Sequence, residues 1–161
     1  MENLGKLGRD KVTGFEGVIT AIAIHLFGCN HYYLTPKAKD NELKDPEWLD
    51  EGRIEFISDF FTAEEVKAFK PDGLTLNAPE LGKLGRDKVT GFEGIIVAKV
   101  INLFDRNDYA LMPKAVDGEV KKSILFDEGR IEIIGDGVTP EDVKGDKPGG
   151  VTLDAPDNRV F

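Results

Sequence analysis

The 161-residue sequence is poor in the residues that build disulfide frameworks and metal centres, with one cysteine and two histidines. Because Cys29 has no second cysteine to pair with, no intramolecular disulfide can form and no cysteine-rich metal motif is present. Such cysteine usage is typical of a reducing compartment. Neither a disulfide scaffold nor a cysteine-rich metal domain is therefore expected.

Long apolar runs and an excess of positive charge are also missing. The longest apolar stretch, VITAIAI at 18–24, is far shorter than the roughly 20 residues of a membrane-spanning helix. The first residues, MENLGKLGRD, have no apolar core of signal-peptide length. The net charge of −9 argues against nucleic-acid binding through phosphate contacts. We expect a protein made in the cytoplasm, with neither a membrane nor a nucleic acid as partner.

A long internal repeat organises the chain. The stretch LGKLGRDKVTGFEG at 4–17 returns letter for letter at 81–94, and the following residues align without a gap. In all, 47 of 77 aligned pairs are identical. A repeat of this length can close its own small core, so we predict two separate units, residues 1–79 and 80–161.

Within each unit, short β-branched segments alternate with glycine-rich turns. In the first unit this pattern predicts strands at 8–12, 18–27, 31–35, 48–50 and 53–57, with a polar loop before the fourth. Five strands in so short a stretch are typical of a small SH3-like barrel. The predicted fold class is mainly β, with two tandem SH3-like antiparallel barrels.

Each barrel is followed by a short tail. Thr62 and Glu65 spell a capping box, and Thr139 precedes Pro140 at a first helical position. We predict one or two helical turns here and then extended segments at 73–76 and 150–153. The sequence leaves open whether these segments pair within their own unit or reach the neighbouring one.

Two groups of polar residues invite a catalytic or metal-binding interpretation. His25 and His31 flank Cys29, which gives three potential ligands but no fourth, and the second unit has none of them at the matching positions. We predict ordinary hairpin residues there and no metal. A second group of carboxylates lies beside arginines in both units and predicts charged turns with cross-strand ion pairs. Its acidic members are Asp50, Glu51, Glu55, Asp127, Glu128 and Glu132. We therefore expect no enzyme activity, no catalytic residue and no cofactor.

Two features favour contact with a partner. The 14-residue block carries no difference between the units, so either the fold or a partner constrains it. The first unit also has an excess of aromatic residues, which either a partner subunit or its own barrel covers. The predicted partner-binding residues are Tyr32, Tyr33, Trp48, Phe60, Phe61, Arg9, Arg86, Arg53 and Arg130.

The pattern DKVTGFEGxIxA…LFGCNxYxLxPK…WLDEGRIEFI resembles that of small barrel proteins encoded by tailed phages and prophages. The resemblance covers residues 8–57 and, more loosely, 85–134, where the second unit has DRN at the hairpin and lacks the tryptophan. The resemblance implies a phage protein. It implies no particular activity, because the family has no secure activity to carry over to this chain.

Together these features predict a non-enzymatic binding or assembly protein of the phage type. Its expected partners are phage structural proteins in capsid, neck or tail, or other copies of itself, and incorporation into the virion would follow. One arrangement would place three two-unit chains around a six-fold ring. The alternative is an anti-defence protein that binds and sequesters a host nucleotide signal, with aromatic stacking residues and Arg9 or Arg53 at a barrel or subunit interface.

Overall fold

The structure is a computed structural model that describes residues 3–71 and 77–143. Ten strands form one antiparallel sheet. The strands are β1 (Lys6–Asp10), β2 (Glu16–His25), β3 (His31–Thr35), β4 (Glu47–Asp50), β5 (Ile54–Asp59), β6 (Leu84–Asp87), β7 (Glu93–Asn102), β8 (Asp108–Met112), β9 (Ile124–Asp127) and β10 (Ile131–Gly135). The helices are α1 (Ala63–Phe69) and α2 (Pro140–Val143), with 3-10 turns at Glu51–Arg53 and Glu128–Arg130. No described helix is long and apolar enough to cross a membrane.

The five strands of each repeat lie in the same order. In the first repeat it is β4-β3-β2-β1-β5, and in the second β9-β8-β7-β6-β10. A 3-10 turn joins the two outermost strands of each set, but within the described residues these strands form no ladder with each other. The mainly β, antiparallel character predicted from the sequence is confirmed. The closed barrels are not, because the sheet stays open between β4 and β5 and between β9 and β10.

A seam between β2 and β7 joins the two repeats. Strand β2 has ten residues and β1 only five, so β1 pairs with the Glu16–Val18 part of β2 and leaves the rest of that edge uncovered. The second repeat covers it, since residues 21–25 pair antiparallel with 98–102. An exposed strand edge presents unpaired backbone groups, and this pairing satisfies them.

The seam is two-fold symmetric in its register. Ala23 pairs with Val100, which occupies the same position in the second repeat. The flanking hydrogen bonds obey the same symmetry: Leu26 N donates to the Val97 carbonyl and Leu103 N to the Thr20 carbonyl, each at 2.8 Å. The two repeats are therefore related by a half-turn.

The main hydrophobic core crosses this seam. It includes Ile19, Ile22 and Leu34 of the first repeat together with Ile101 and Leu103 of the second. A smaller cluster lies wholly in the second repeat, formed by Ile96, Tyr109, Leu111 and Ile131. This arrangement differs from the predicted pair of self-contained cores, because strand pairing brings the inward side chains of β7 onto the first repeat.

The predicted helical tails are present in both repeats. Thr62 Oγ1 accepts a hydrogen bond from Glu65 N at 3.2 Å, while Thr62 N donates to Glu65 Oε2 at 2.8 Å, which completes the predicted capping box. The end of α1 then packs on the second repeat, with the Phe69 and Phe104 rings 4.9 Å apart. The predicted extended segments at 73–76 and 150–153 lie outside the described residues.

Candidate functional site

A cleft of about 360 Å³ lies over the seam between the two repeats. Small side chains of β2, β7 and β8 form much of its lining, and Trp48 of β4 and Leu125 of β9 contribute larger side chains. The polar residues of the lining are His25, His31 and Ser123. Because Trp48 and Leu125 occupy the same position in their repeats, the cleft has two-fold geometry but unlike contributions from the two sides.

At one side of this cleft, three potential metal ligands come together. The ligand atoms of Cys29, His31 and Asp50 all lie within 4.8 Å of one another. Strand pairing sets this geometry, since His31 and Asp50 are directly opposite across β3 and β4 and Cys29 lies in the turn before β3. His31 Nε2 and Asp50 Oδ1 are 2.6 Å apart.

The surroundings tune the cluster electrostatically. Partial desolvation, followed by the charge and hydrogen bond of Asp50, raises the pKa of the Cys29 thiol. Burial and then the neighbouring His31 lower the pKa of His25. The two imidazole rings are 4.7 Å apart, and His25 Nε2 is buried without a hydrogen-bond partner among the described residues. Beside Cys29, His31 and Asp50, this region therefore contains one further nitrogen without a partner among the described residues, His25 Nε2.

The matching positions of the second repeat form a different network. Asn102, the counterpart of His25, donates to Asp108 Oδ2 at 3.0 Å and to the Arg106 carbonyl at 2.7 Å. Asp127, the counterpart of Asp50, accepts a hydrogen bond from Gly129 N at 2.8 Å and so caps its 3-10 turn. Asp50 makes no such cap, and its carboxylate instead faces His31 and Cys29.

The predicted aromatic residues occupy three environments. Tyr32 is a core residue whose hydroxyl accepts a hydrogen bond from Asn3 Nδ2 at 2.9 Å. Tyr33 and Trp48 form a tilted pair with ring centroids 4.7 Å apart, and Trp48 is 42% exposed at the cleft. Phe61 packs against the main core, whereas Phe60 remains exposed. Their role in partner binding stays a prediction, and only Trp48 belongs to the cleft.

Arg53 and Arg130 have a structural partner. Arg53 donates two hydrogen bonds to Asp10, at 3.0 and 2.6 Å, and Arg130 does the same to Asp87, at 2.9 and 2.7 Å. Both aspartates are fully buried. These arginine hydrogen bonds are the largest cause that holds the pKa of each aspartate well below its usual range.

Arg9 and Arg86 lie elsewhere, on the exposed surface of the sheet. Each pairs with a glutamate on the neighbouring strand, Arg9 with Glu16 at 2.5 Å and Arg86 with Glu93 at 2.7 Å. Glu55 is also near Arg9, at 4.0 Å. Of the carboxylates that the sequence predicted in cross-strand ion pairs, only Glu55 lies within ion-pair distance of one of these four arginines, because Arg53 and Arg130 pair with Asp10 and Asp87 instead. None of the four arginines lines the cleft.

The fold explains much of the duplicated block. Asp10 also accepts hydrogen bonds from Val12 N, Thr13 N and Thr13 Oγ1, so it organises the turn between β1 and β2. Gly17 lies against β3, where an added Cβ would come within 2.9 Å of three backbone atoms of Thr35. These positions tolerate little change. Val12 is different, because it is 74% exposed, as is its counterpart Val89.

Sequence reasoning also missed a buried lysine in the second repeat. Lys99 is only 8% exposed, and its Nζ lies 4.0 Å from Glu80 Oε2 and 5.7 Å from the Tyr109 ring centroid. The first repeat has Ile22 and Asn3 at these positions. The aligned repeats contain a signal for this pair. In the second repeat a lysine replaces a strand isoleucine of the first, and a glutamate replaces an asparagine at another aligned position.

No protein family, curated protein or solved structure matches this chain. The resemblance to phage barrel proteins therefore stays a prediction, and function has to be inferred from the residues and their geometry.

Proposed function

We propose that this chain is a non-enzymatic binding and assembly protein of the phage type, made of two SH3-like units that dock on a symmetric protein partner. The strand order β4-β3-β2-β1-β5, with a 3-10 turn between the outer strands, supports the SH3-like assignment of each repeat. The partner belongs to capsid, neck or tail, so the chain is made in the host cytoplasm and enters the virion.

The observation that carries this proposal is the pair of identical, exposed turn tips. Val12 and Val89 are each 74% exposed, and the residues around them do not differ between repeats. Packing constrains Asp10 and Gly17 but gives no reason for a valine at the tip. Two equal apolar tips related by a half-turn suit a partner that offers the same pocket twice.

The half-turn that relates the two repeats also bears on which symmetry a partner would need. Neighbouring positions around a six-fold ring are related by one-sixth of a turn, whereas the register of the seam relates the two repeats by a half-turn. The half-turn supports docking across a two-fold axis of the partner rather than the three-chain ring considered from the sequence. A symmetric partner offers such an axis where two identical subunits meet through the same surface patch.

Nucleotide sequestration is the less favoured function. The described residues that line the cleft include no lysine or arginine to meet a phosphate, and the chain carries a net charge of −9. Arg53 is held by Asp10 and Arg9 by Glu16, so both candidate arginines already have a carboxylate partner.

Co-purification with particles tests the docking proposal. Particles from the strain that encodes the chain are purified and probed for wild-type protein, for Val12→Glu, for Val89→Glu and for the double variant. Each single variant is expected to reduce incorporation and the double variant to abolish it. Val120→Glu, at an 80% exposed loop position, is the matched control and keeps it.

Circular dichroism establishes that the variants are folded, as expected for substitutions at exposed positions. A wild-type chain that is monomeric and absent from particles would remove the proposal. Incorporation of the double variant at the wild-type level would remove the assigned contact.

A further inference from the structure

We propose that Cys29, His31 and Asp50 form a site for a single Zn²⁺-class metal ion at the edge of the cleft. The site offers three protein ligands and leaves the fourth position for water or a donor group of a bound molecule. It goes beyond the docking function and does not depend on it.

The donor set favours zinc over the common hard cations. Thiolate, imidazole and carboxylate are the three ligand types that zinc accepts, whereas Mg²⁺ and Ca²⁺ are bound by oxygen ligands. Zinc sites with three protein ligands keep an open fourth position. Ligand atoms within 4.8 Å of one another need only small side-chain rotations to surround one ion.

Local geometry supports this assignment independently of the donor types. His31 and Asp50 are directly opposite in an antiparallel ladder, which fixes their backbone spacing. Cys29 is exposed in the adjoining turn, so metal and thiol can meet without opening the core. On binding, Zn–S, Zn–N and Zn–O bonds replace the contact between His31 and Asp50, and the Cys29 thiol loses its proton to solvent.

The second repeat shows what these positions look like without the ligand set. Arg106 and Asp108 replace Cys29 and His31, and the retained Asp127 is used as a turn cap. In the first repeat Asp50 has left that structural role and faces the other two ligands. Two of three ligands differ, and the third has changed its contacts, which is the pattern expected if the first repeat alone acquired a metal site.

Calorimetric titration of the untagged full-length chain with Zn²⁺ tests the site. One ion per chain is expected to bind, and the Co²⁺-loaded chain is expected to show a thiolate-to-metal charge-transfer band. Cys29→Ser and Asp50→Asn each weaken Zn²⁺ binding by at least about tenfold and abolish or shift that band. All substituted positions are exposed or half-exposed, so the folded state persists in each variant.

Matched controls come from the other repeat and from the neighbouring histidine. Asp127→Asn, the counterpart of Asp50→Asn, leaves the affinity unchanged. His25→Asn, which installs the residue of the second repeat, also keeps it, since the proposed site has three ligands without His25. Arg106→Cys combined with Asp108→His places the same ligand set in the second repeat and raises the stoichiometry to two.

Several results would overturn the site. Wild-type affinity in Cys29→Ser, equal losses in Asp50→Asn and Asp127→Asn, or equally strong binding of Mg²⁺ would each exclude it. Loss of Zn²⁺ in His25→Asn would overturn the three-ligand assignment. A stoichiometry that stays at one in the double variant of the second repeat would show that these three positions are not sufficient.

Discussion

Ala23 lies directly opposite Val100 in the sheet, and the two are the same position of the two repeats. Each repeat thus contacts the other through the same surface, which is the geometry of an isologous dimer interface inside one chain. The short β1 strand is the cause, since it leaves half of the β2 edge open for the partner repeat. Duplication followed by fusion gives that edge a permanent partner.

The shared seam predicts a single unfolding transition. Trp48, the one tryptophan, reports on the first repeat by fluorescence, while far-ultraviolet circular dichroism reports on both. The two urea curves should coincide, because β2 and β7 share a ladder and a core. Leu26→Pro removes a donor across the seam and should lower both midpoints together, by at least about 1 kcal/mol in unfolding free energy. Two separated transitions would contradict a common cooperative unit.

We predict that substitutions at Lys99 and Glu80 have strongly coupled effects on the free energy of unfolding. Lys99→Ile alone leaves a partly buried carboxylate beside the core and should cost about 1–3 kcal/mol. Adding Glu80→Asn reproduces the Ile22 and Asn3 arrangement of the first repeat and should recover most of that loss.

Urea unfolding of the two single variants and the double variant measures this coupling, expected to exceed about 1 kcal/mol. Ile22→Lys is the reciprocal control and should destabilise the first repeat, because Asn3 cannot neutralise the new charge. Additive effects of the two substitutions would show that Lys99 and Glu80 do not stabilise one another.

The buried aspartates predict acid sensitivity. Arg53 and Arg130 hold the pKa of Asp10 and Asp87 below the value of about 3.9 expected in the unfolded chain. The unfolded state therefore binds more protons as the pH falls, so the stabilisation is present above about pH 4 and lost below it.

Melting temperature measured from about pH 6 to pH 2 tests this dependence. Asp10→Asn should lower the melting temperature at neutral pH and make the curve less steep in acid, with Asp87→Asn acting alike. Asp40→Asn, in an exposed loop, should leave the curve unchanged. An equally steep curve in Asp10→Asn would rule out the pair as its source.

Local sequence signals predicted the elements well and the assembly less well. Residue types determined the turns and caps, so the capping box at Thr62 and the 77-residue repeat could be read directly. The seam could not be predicted in this way. Whether the free half of β2 pairs with its own unit or with β7 depends on strand lengths that differ by only a few residues. The sequence pointed to Cys29 and His31 as potential ligands but not to Asp50 as their neighbour, because Asp50 comes from the next strand and joins them only through the β3–β4 register.

The close approach of Gly17 to β3 predicts a position that accepts no side chain. An added Cβ would lie 2.7–2.9 Å from backbone atoms of Thr35, and backbone cannot move aside as a flexible side chain can. Gly17→Ala should therefore cost about 1–3 kcal/mol or more in unfolding free energy. Gly94→Ala, which would meet Met112 in the same way, should cost a similar amount. Gly52→Ala is the control, since nothing lies near its added Cβ, and its urea midpoint should match the wild type. If Gly17→Ala were as stable as Gly52→Ala, packing against β3 would no longer explain why the duplicated block keeps this glycine.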